Sequence, residues 1–196
     1  KLDELNIETK FIMGLRVTDE KVIKIVEDVM IKFNKEIVNA LEEKTCKAKS
    51  ITIKENISIY VQQKNKELGY VGYPSRIDTS LIKNLIREDY IPVITPMGLD
   101  KKDQAYNINA DVAAGALATS LKSRRLLLMT DVEGVYDKNK KLISEIKPKE
   151  AETLIDNGII LEGMIPKVRT CIKAVENGVR GVVIIDGRKI HSILFE

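Results

Sequence analysis

Arg125-Leu126-Leu127-Leu128-Met129-Thr130 is a continuous apolar run of strand length. A strand without polar alternation is one covered on both faces, as in parallel sheets flanked by helices. Two further segments read the same way. Gly181-Val182-Val183-Ile184-Ile185 runs into Asp186-Gly187, and Ile91-Pro92-Val93-Ile94-Thr95 ends at Pro96 and Gly98. Helices fall between them. An Ala-rich segment spans 110–121, Pro148 can start a helix through Asp156, and Pro166 suits the first turn of another through Asn177. Proline's missing N–H has no helical partner at that position anyway. Strands alternating with helices predict an α/β chain. The expected form is a three-layer αβα sandwich with a mostly parallel central sheet, in which 91–95, 125–130 and 181–185 are adjacent.

The N-terminal half changes period. Val22, Val26, Val29, Met30, Phe33, Ile37 and Leu41 recur at helical spacing, which predicts one long amphipathic helix over 19–44. Thr18 or Asp19 can cap it, since either side chain accepts an orphan backbone N–H. Ile51, Ile53, Ile57, Ile59 and Val61 then alternate with polar residues, the strand period. Glu55-Asn56 breaks the alternation, so a small hairpin is expected there. Tyr70-Val71-Gly72-Tyr73 follows as a short strand, and Asp78 can cap a helix carrying Leu81, Ile82, Leu85 and Ile86.

Composition narrows the function classes. The 196 residues carry 32 basic and 29 acidic side chains, a net charge of +3 spread along the chain. That balance makes no case for a nucleic-acid partner and suits a neutral ATP or metabolite enzyme. No apolar run reaches about 18 residues, so a membrane span is ruled out. Cys46 and Cys171 lack metal-ligand spacing, and a single histidine excludes a multi-histidine metal centre. His191, beside Ile190, reads as structural. No Gly-x-x-x-x-Gly-Lys-Ser/Thr, Gly-x-Gly-x-x-Gly or Gly-x-Ser-x-Gly occurs, which disfavours P-loop, dinucleotide-fold and serine-hydrolase sites.

Ligands of open α/β sheets bind at the carboxyl ends of the strands. Four segments at element ends carry polar residues: Gly14–Thr18, Asn107–Asp111, Thr130–Asp137 and Glu162–Lys167. Asn107-Ile108-Asn109-Ala110-Asp111 precedes the Ala-rich helix. It reads either as a turn with an N-cap or as amide recognition of a polar substrate, with Asp111 aligning a lysine. Thr130-Asp131-Val132-Glu133-Gly134-Val135-Tyr136-Asp137 is either a turn of exposed acids or a nucleotide loop; its spacing is not that of an EF-hand. Lys167 at a helix start runs against the helix dipole, so it is either solvated or placed for an anion. Arg16, alone in a loop of uncharged residues, can hold a carboxylate bidentately.

The motif-bearing segments occur in a fixed order. They include Phe11-Ile12-Met13-Gly14-Leu15-Arg16-Val17-Thr18-Asp19, Asn34-Lys35-Glu36-Ile37, Leu68-Gly69-Tyr70-Val71-Gly72 and Tyr106-Asn107-Ile108-Asn109-Ala110-Asp111. Ile91-Pro92-Val93-Ile94, Leu128-Met129-Thr130-Asp131-Val132-Glu133-Gly134-Val135-Tyr136, Gly163-Met164-Ile165-Pro166-Lys167-Val168 and Ile185-Asp186-Gly187-Arg188 complete the set. Together they resemble the amino acid kinase family over nearly the whole chain, and within it the acetylglutamate kinases. The resemblance implies the remainder of an N-terminal acetylglutamate-binding and dimerisation lobe at 1–98 and an ATP-binding lobe at 99–196, intertwined as a single domain.

It also implies a reaction: phosphorylation of the side-chain carboxylate of N-acetyl-L-glutamate by ATP, in arginine biosynthesis. The alternatives are an acetylaminoadipate-type kinase of lysine biosynthesis and a non-catalytic homologue acting as a regulatory or assembly partner. The family's roles fall on residues of this sequence. Arg16 would hold the substrate's α-carboxylate, with Asn107 and Asn109 also on the substrate. Asp111 and Lys167 would be catalytic, Asp111 aligning the phosphate-binding lysines and Lys167 stabilising the transferring phosphoryl group. Thr130, Asp131, Tyr136, Met164 and Lys167 would surround ATP, which carries Mg2+, with no metal site on the protein. The implied assembly is a homodimer or hexamer, with arginine as inhibitor and a PII-type signalling protein as partner. The implied compartment is the cytoplasm, or the plastid stroma for an organelle gene.

The sequence departs from the family at both ends and at one turn. It begins at Lys1, where the family's first strand, a Gly-rich turn with a second phosphate lysine and a Gly-Gly pair are expected upstream. It ends at Glu196, before an expected Thr-Asp-Glu-Gly-x-Gly-Thr segment. At Ala48–Asn56 the family's Gly-Lys-Asp-Gly turn is replaced by Lys49-Ser50-Ile51-Thr52-Ile53-Lys54-Glu55-Asn56. The expectation is a piece of a longer chain that, taken alone, is a poor kinase.

Overall fold

The computed structural model describes residues 1–12, 15–160 and 163–195. Gly14 and Glu162, the first residues of two candidate segments, lie outside the described residues. The chain divides into two compact units, Lys1–Ala113 and Ala114–Glu196.

The first unit opens with β1 (Phe11–Ile12) and β2 (Leu15–Arg16), an antiparallel pair in which Phe11 faces Arg16. α1 (Glu20–Glu42) follows, capped by Asp19, whose carboxylate accepts the N–H of Val22 at 2.8 Å. β3 (Ala48–Ile51), β4 (Ile59–Gln63), β5 (Gly72–Ile77) and α2 (Ser80–Arg87) come next, with Asp78 accepting the N–H of Ser80. β6 (Ile91–Ile94), β7 (Met97–Leu99) and β8 (Ala105–Asn107) complete the strands. β3 pairs in parallel with β6, and a four-stranded mixed sheet runs β5-β4-β7-β8. The apolar face of α1 packs Ile23, Val26 and Met30 against Met97, Leu99, Ala105 and Tyr70. That contact fixes β7 and β8, and with them the Asn107 segment.

α3 (Ala110–Leu121) begins in the first unit and continues into the second. There β9 (Arg125–Thr130) pairs in parallel with β10 (Gly181–Asp186), and α4 (Pro148–Asp156) and α5 (Ile165–Glu176) complete the unit. Ala118, Leu126, Leu128, Ala174 and Val179 form one buried cluster. Ala151, Ile155, Ile160, Val168 and Ile172 form a second. α3 and α5 meet closely at Gly115, where a β-carbon would stand 2.7 Å from the Thr170 methyl. Each burial of a Leu, Ile or Val side chain in such a cluster stabilises by roughly 1.5–3 kcal/mol.

The α/β class is as the sequence predicts, and α3, β9 and α4 match their predicted spans. Two readings are corrected. Ile51–Val61 is not a hairpin. A turn does form, with the N–H of Thr52 donating to Glu55 O at 2.9 Å, but β3 then pairs with β6 while β4 pairs with β5 and β7. Alternation identifies a strand face but not its partner, which tertiary packing selects. The segment 125–130 also has one open side, since Leu126 and Leu128 are buried while Met129 is exposed. Of the three segments expected side by side, β9 and β10 are direct neighbours in the second unit; β6 has β3 as its partner in the first.

Candidate functional site

The first unit holds a cavity of about 150 Å³ lined by Phe11, Leu15, Arg16, Val71, Asn107 and Asn109. Local structure brings these residues together. β2 delivers Arg16, whose carbonyl accepts the Thr18 hydroxyl at 3.1 Å. Thr18 is fully buried and exchanges backbone bonds with the next segment: its N–H donates to Leu68 O at 3.0 Å, and its O accepts the N–H of Tyr70 at 2.7 Å. Tyr70 O in turn accepts the N–H of Asn107 at 2.9 Å, placing Val71 beside the end of β8. Asn109 caps α3, its Oδ1 accepting the N–H of Val112 at 3.2 Å. Asn109 is thus a helix cap and also lines the cavity.

The cavity has two chemical sides. Arg16 and the amides of Asn107 and Asn109 offer N–H donors beside the positive end of the α3 dipole, which suits a carboxylate. Phe11, Leu15 and Val71 supply apolar surface. Phe11 adds a second contact, with the Arg16 guanidinium carbon 4.8 Å from its ring centroid. Arg16, Asn107 and Asn109 are polar residues at element ends and stand out in the sequence; the three apolar residues do not. The antiparallel register of β1 and β2 sets Phe11 opposite Arg16, a pairing that no local sequence signal gives.

In the second unit, β9 and β10 end together, with Thr130 opposite Asp186 and the N–H of Gly187 donating to Thr130 O at 2.8 Å. The Thr130 hydroxyl donates to Asp131 Oδ1 at 3.3 Å, and Asp131 is exposed. Beyond it, Glu133 pairs with Lys189 and accepts the Tyr136 hydroxyl at 3.5 Å, so the loop after β9 is tied to the turn after β10. The Lys189 ammonium, first through its hydrogen bond, holds the Glu133 carboxyl below its usual range. Asp186 is buried and takes two bonds of 2.9 Å from the Arg188 guanidinium and one of 3.0 Å from its N–H. These bonds, the side-chain pair first, lower its pKa to about 2.

Lys167 is the third residue of α5, half-buried, and Met164 caps that helix while packing on the Ile155 cluster. Asp111 is the second residue of α3, where its charge complements the dipole. Asp111 belongs to the first unit and Lys167 to the second. His191 is exposed, with a φ of 63°. Among the described residues, no group of three or more His, Cys, Asp or Glu could hold a metal ion, and no helix is long and apolar enough to cross a membrane.

Comparison with known proteins agrees with the α/β fold. The amino acid kinase family model matches residues 1–186, and the chain belongs to the amino acid kinase family. Within it, the chain is 57% identical over 196 residues to the acetylglutamate kinase of Pelagibacter ubique, covering all of this chain and 68% of that protein. It is 47% identical over 208 residues to the acetylglutamate kinase of Lawsonia intracellularis, with 100% and 70% covered. The crystal structure of smu.665 from Streptococcus mutans superimposes with a TM-score of 0.89 at 29% identity, over 94% of this chain and 76% of that one.

Proposed function

We propose that the chain phosphorylates the side-chain carboxylate of N-acetyl-L-glutamate with ATP, giving N-acetyl-L-glutamyl 5-phosphate, the second step of arginine biosynthesis. The observation that carries this reading is the cavity that Arg16, Asn107 and Asn109 line together. The substrate is a small dianion with one amide. A guanidinium can bind its α-carboxylate bidentately, and asparagine amides can satisfy its acetamido group. The side-chain carboxylate is ionised at neutral pH, so the acceptor needs no protein base. Phosphoryl transfer then depends on positioning and charge stabilisation.

In this reading residues 1–98 form the amino-acid lobe, to whose cavity Asn107 and Asn109 contribute, and the rest of 99–196 forms the ATP-binding lobe. ATP supplies the phosphoryl group, and Mg2+ on its phosphates offsets their charge. The fit rests on the joined carboxyl ends of β9 and β10, where ligands of open α/β sheets bind. Thr130, Asp131 and Tyr136 would hold the nucleotide on that edge, with Met164 flanking it. Lys167, adding its charge to the first turn of α5, would stabilise the transferring group, and the role carried to Asp111 is to align the phosphate-binding lysines. A homodimer or hexamer, arginine inhibition, a PII-type partner and a cytoplasmic location complete the reading.

The test is ATP-dependent acyl-phosphate formation by the full-length protein, trapped as the hydroxamate, with N-acetyl-L-glutamate and N-acetyl-L-2-aminoadipate as competing substrates. Higher kcat/KM for acetylglutamate is expected. Preference for the longer acid, or no ATP-dependent product from either, overturns the reading. Sedimentation with and without arginine tests the assembly.

A further inference from the structure

We propose that Phe11 is a positioning residue for Arg16, holding its guanidinium by a cation–π contact so that its N–H donors remain available to a carboxylate. The proposal rests on the acetylglutamate reading of the same cavity.

Phe11 and Arg16 are direct partners in the β1–β2 pair, so their side chains leave the ribbon on one face. The guanidinium carbon lies over the ring, 4.8 Å from its centroid, within the range of cation–π attraction. No carboxylate among the described residues pairs with Arg16. A carboxylate neighbour would consume two of the five N–H donors in the guanidinium fork; a ring face attracts the charge and offers no acceptor oxygen. Asp186 shows the contrast within the same chain, since it takes two side-chain N–H bonds from Arg188. Phe11 is also 58% exposed. An aromatic ring left open to that extent contributes little to a core, while its contact with Arg16 and its place in the cavity wall give it a role at the site.

The experiment compares the full-length parent with Phe11→Leu, Phe11→Met and Phe11→Tyr. Calorimetric titration with N-acetyl-L-glutamate gives Kd, and steady-state kinetics give KM for each substrate and kcat. Loss of the ring should weaken acetylglutamate binding about threefold to tenfold, by Kd and by KM, while KM for ATP and kcat stay within about twofold. Phe11→Tyr keeps a ring face and should return acetylglutamate affinity to about the parent value. At this exposed position none of the three variants opens a core cavity, and Phe11→Met provides a second flexible, non-aromatic side chain if Phe11→Leu fails. Unchanged Kd in the Leu and Met variants overturns the proposal. So does equal weakening by Tyr, which would assign Phe11 a purely steric role. A parent that neither binds nor phosphorylates acetylglutamate overturns the functional reading, and the positioning role with it; an active parent with unaffected variants overturns the positioning role alone.

Discussion

Gly69 lies so close to Thr18 that a β-carbon on it would overlap the Thr18 carbonyl oxygen and stand 3.0 Å from the carbonyl carbon. Gly69 also has a φ of 66°, which side-chain-bearing residues rarely adopt. The contact is framed by the bonds from Thr18 to Leu68 and Tyr70, and Tyr70 continues to Asn107. Gly69→Ala should therefore force the backbone apart and destabilise the chain by about 2–4 kcal/mol. Urea denaturation measures this directly. A loss near zero would mean that the backbone at Thr18 yields freely, and the link from Arg16 to Asn107 would then be looser than the geometry indicates.

Arg16→Ala removes the cavity's guanidinium. Charged hydrogen bonds contribute about 1.5–3 kcal/mol, so KM for acetylglutamate should rise about tenfold to a hundredfold. KM for ATP should change little. Initial-rate kinetics with each substrate varied in turn separate the two effects. A rise confined to ATP would move Arg16 to the nucleotide side.

Asp186 gives a pH prediction. Arg188, first by its side-chain hydrogen bonds and then by its N–H, lowers the Asp186 pKa from 3.8 to about 2. A folded-state value below the unfolded one adds stability that is present above the unfolded value and is lost as pH falls through the folded one. Parent stability should therefore fall between about pH 4 and pH 2 more steeply than that of Asp186→Asn. Denaturation midpoints across that interval check it. Equal slopes would show that the Arg188 bonds do not hold the carboxylate in solution.

Local signals made the second half of the chain readable. Pro148 begins α4, Ala-rich sequence delimits α3, and the apolar run 125–130 is β9 in full. Each depends on residues close in sequence. The Ile51–Val61 segment failed for the opposite reason: Ile51, Ile59 and Val61 are buried as alternation predicts, but Thr52 and Ser58 are buried as well, and the strands join different sheets. Arg16, Asn107 and Asn109 were visible as polar residues at element ends. Phe11, Leu15 and Val71 were not, because an apolar residue in a cavity wall has the same sequence signature as one in a core. Only the register of β1 and β2 and the bond from Asn107 to Tyr70 bring them to the cavity.

Lys167 carries the last prediction. It is the third residue of α5, and Pro166, at the second position, has no N–H. A cation there is disfavoured by the dipole, whereas an anion is favoured by both the dipole and the amides of the first turn. A lysine and a helix N-terminus acting on the same phosphoryl group reinforce one another, and a preorganised donor of this kind is worth about 2.7–4 kcal/mol in the transition state. Lys167→Ala should therefore lower kcat about a hundredfold to a thousandfold. The unfolding midpoint of each variant, measured alongside, separates a loss of turnover from a loss of stability. Lys167→Arg keeps the charge but replaces a compact ammonium with a planar fork, so intermediate turnover is expected. Single-turnover phosphoryl transfer, measured with both substrates saturating, separates this loss from weakened binding. Parental single-turnover rates in Lys167→Ala would exclude the residue from charge stabilisation, whereas a rate loss shared equally by Ala and Arg would mean that ammonium geometry, not charge alone, is what the reaction requires.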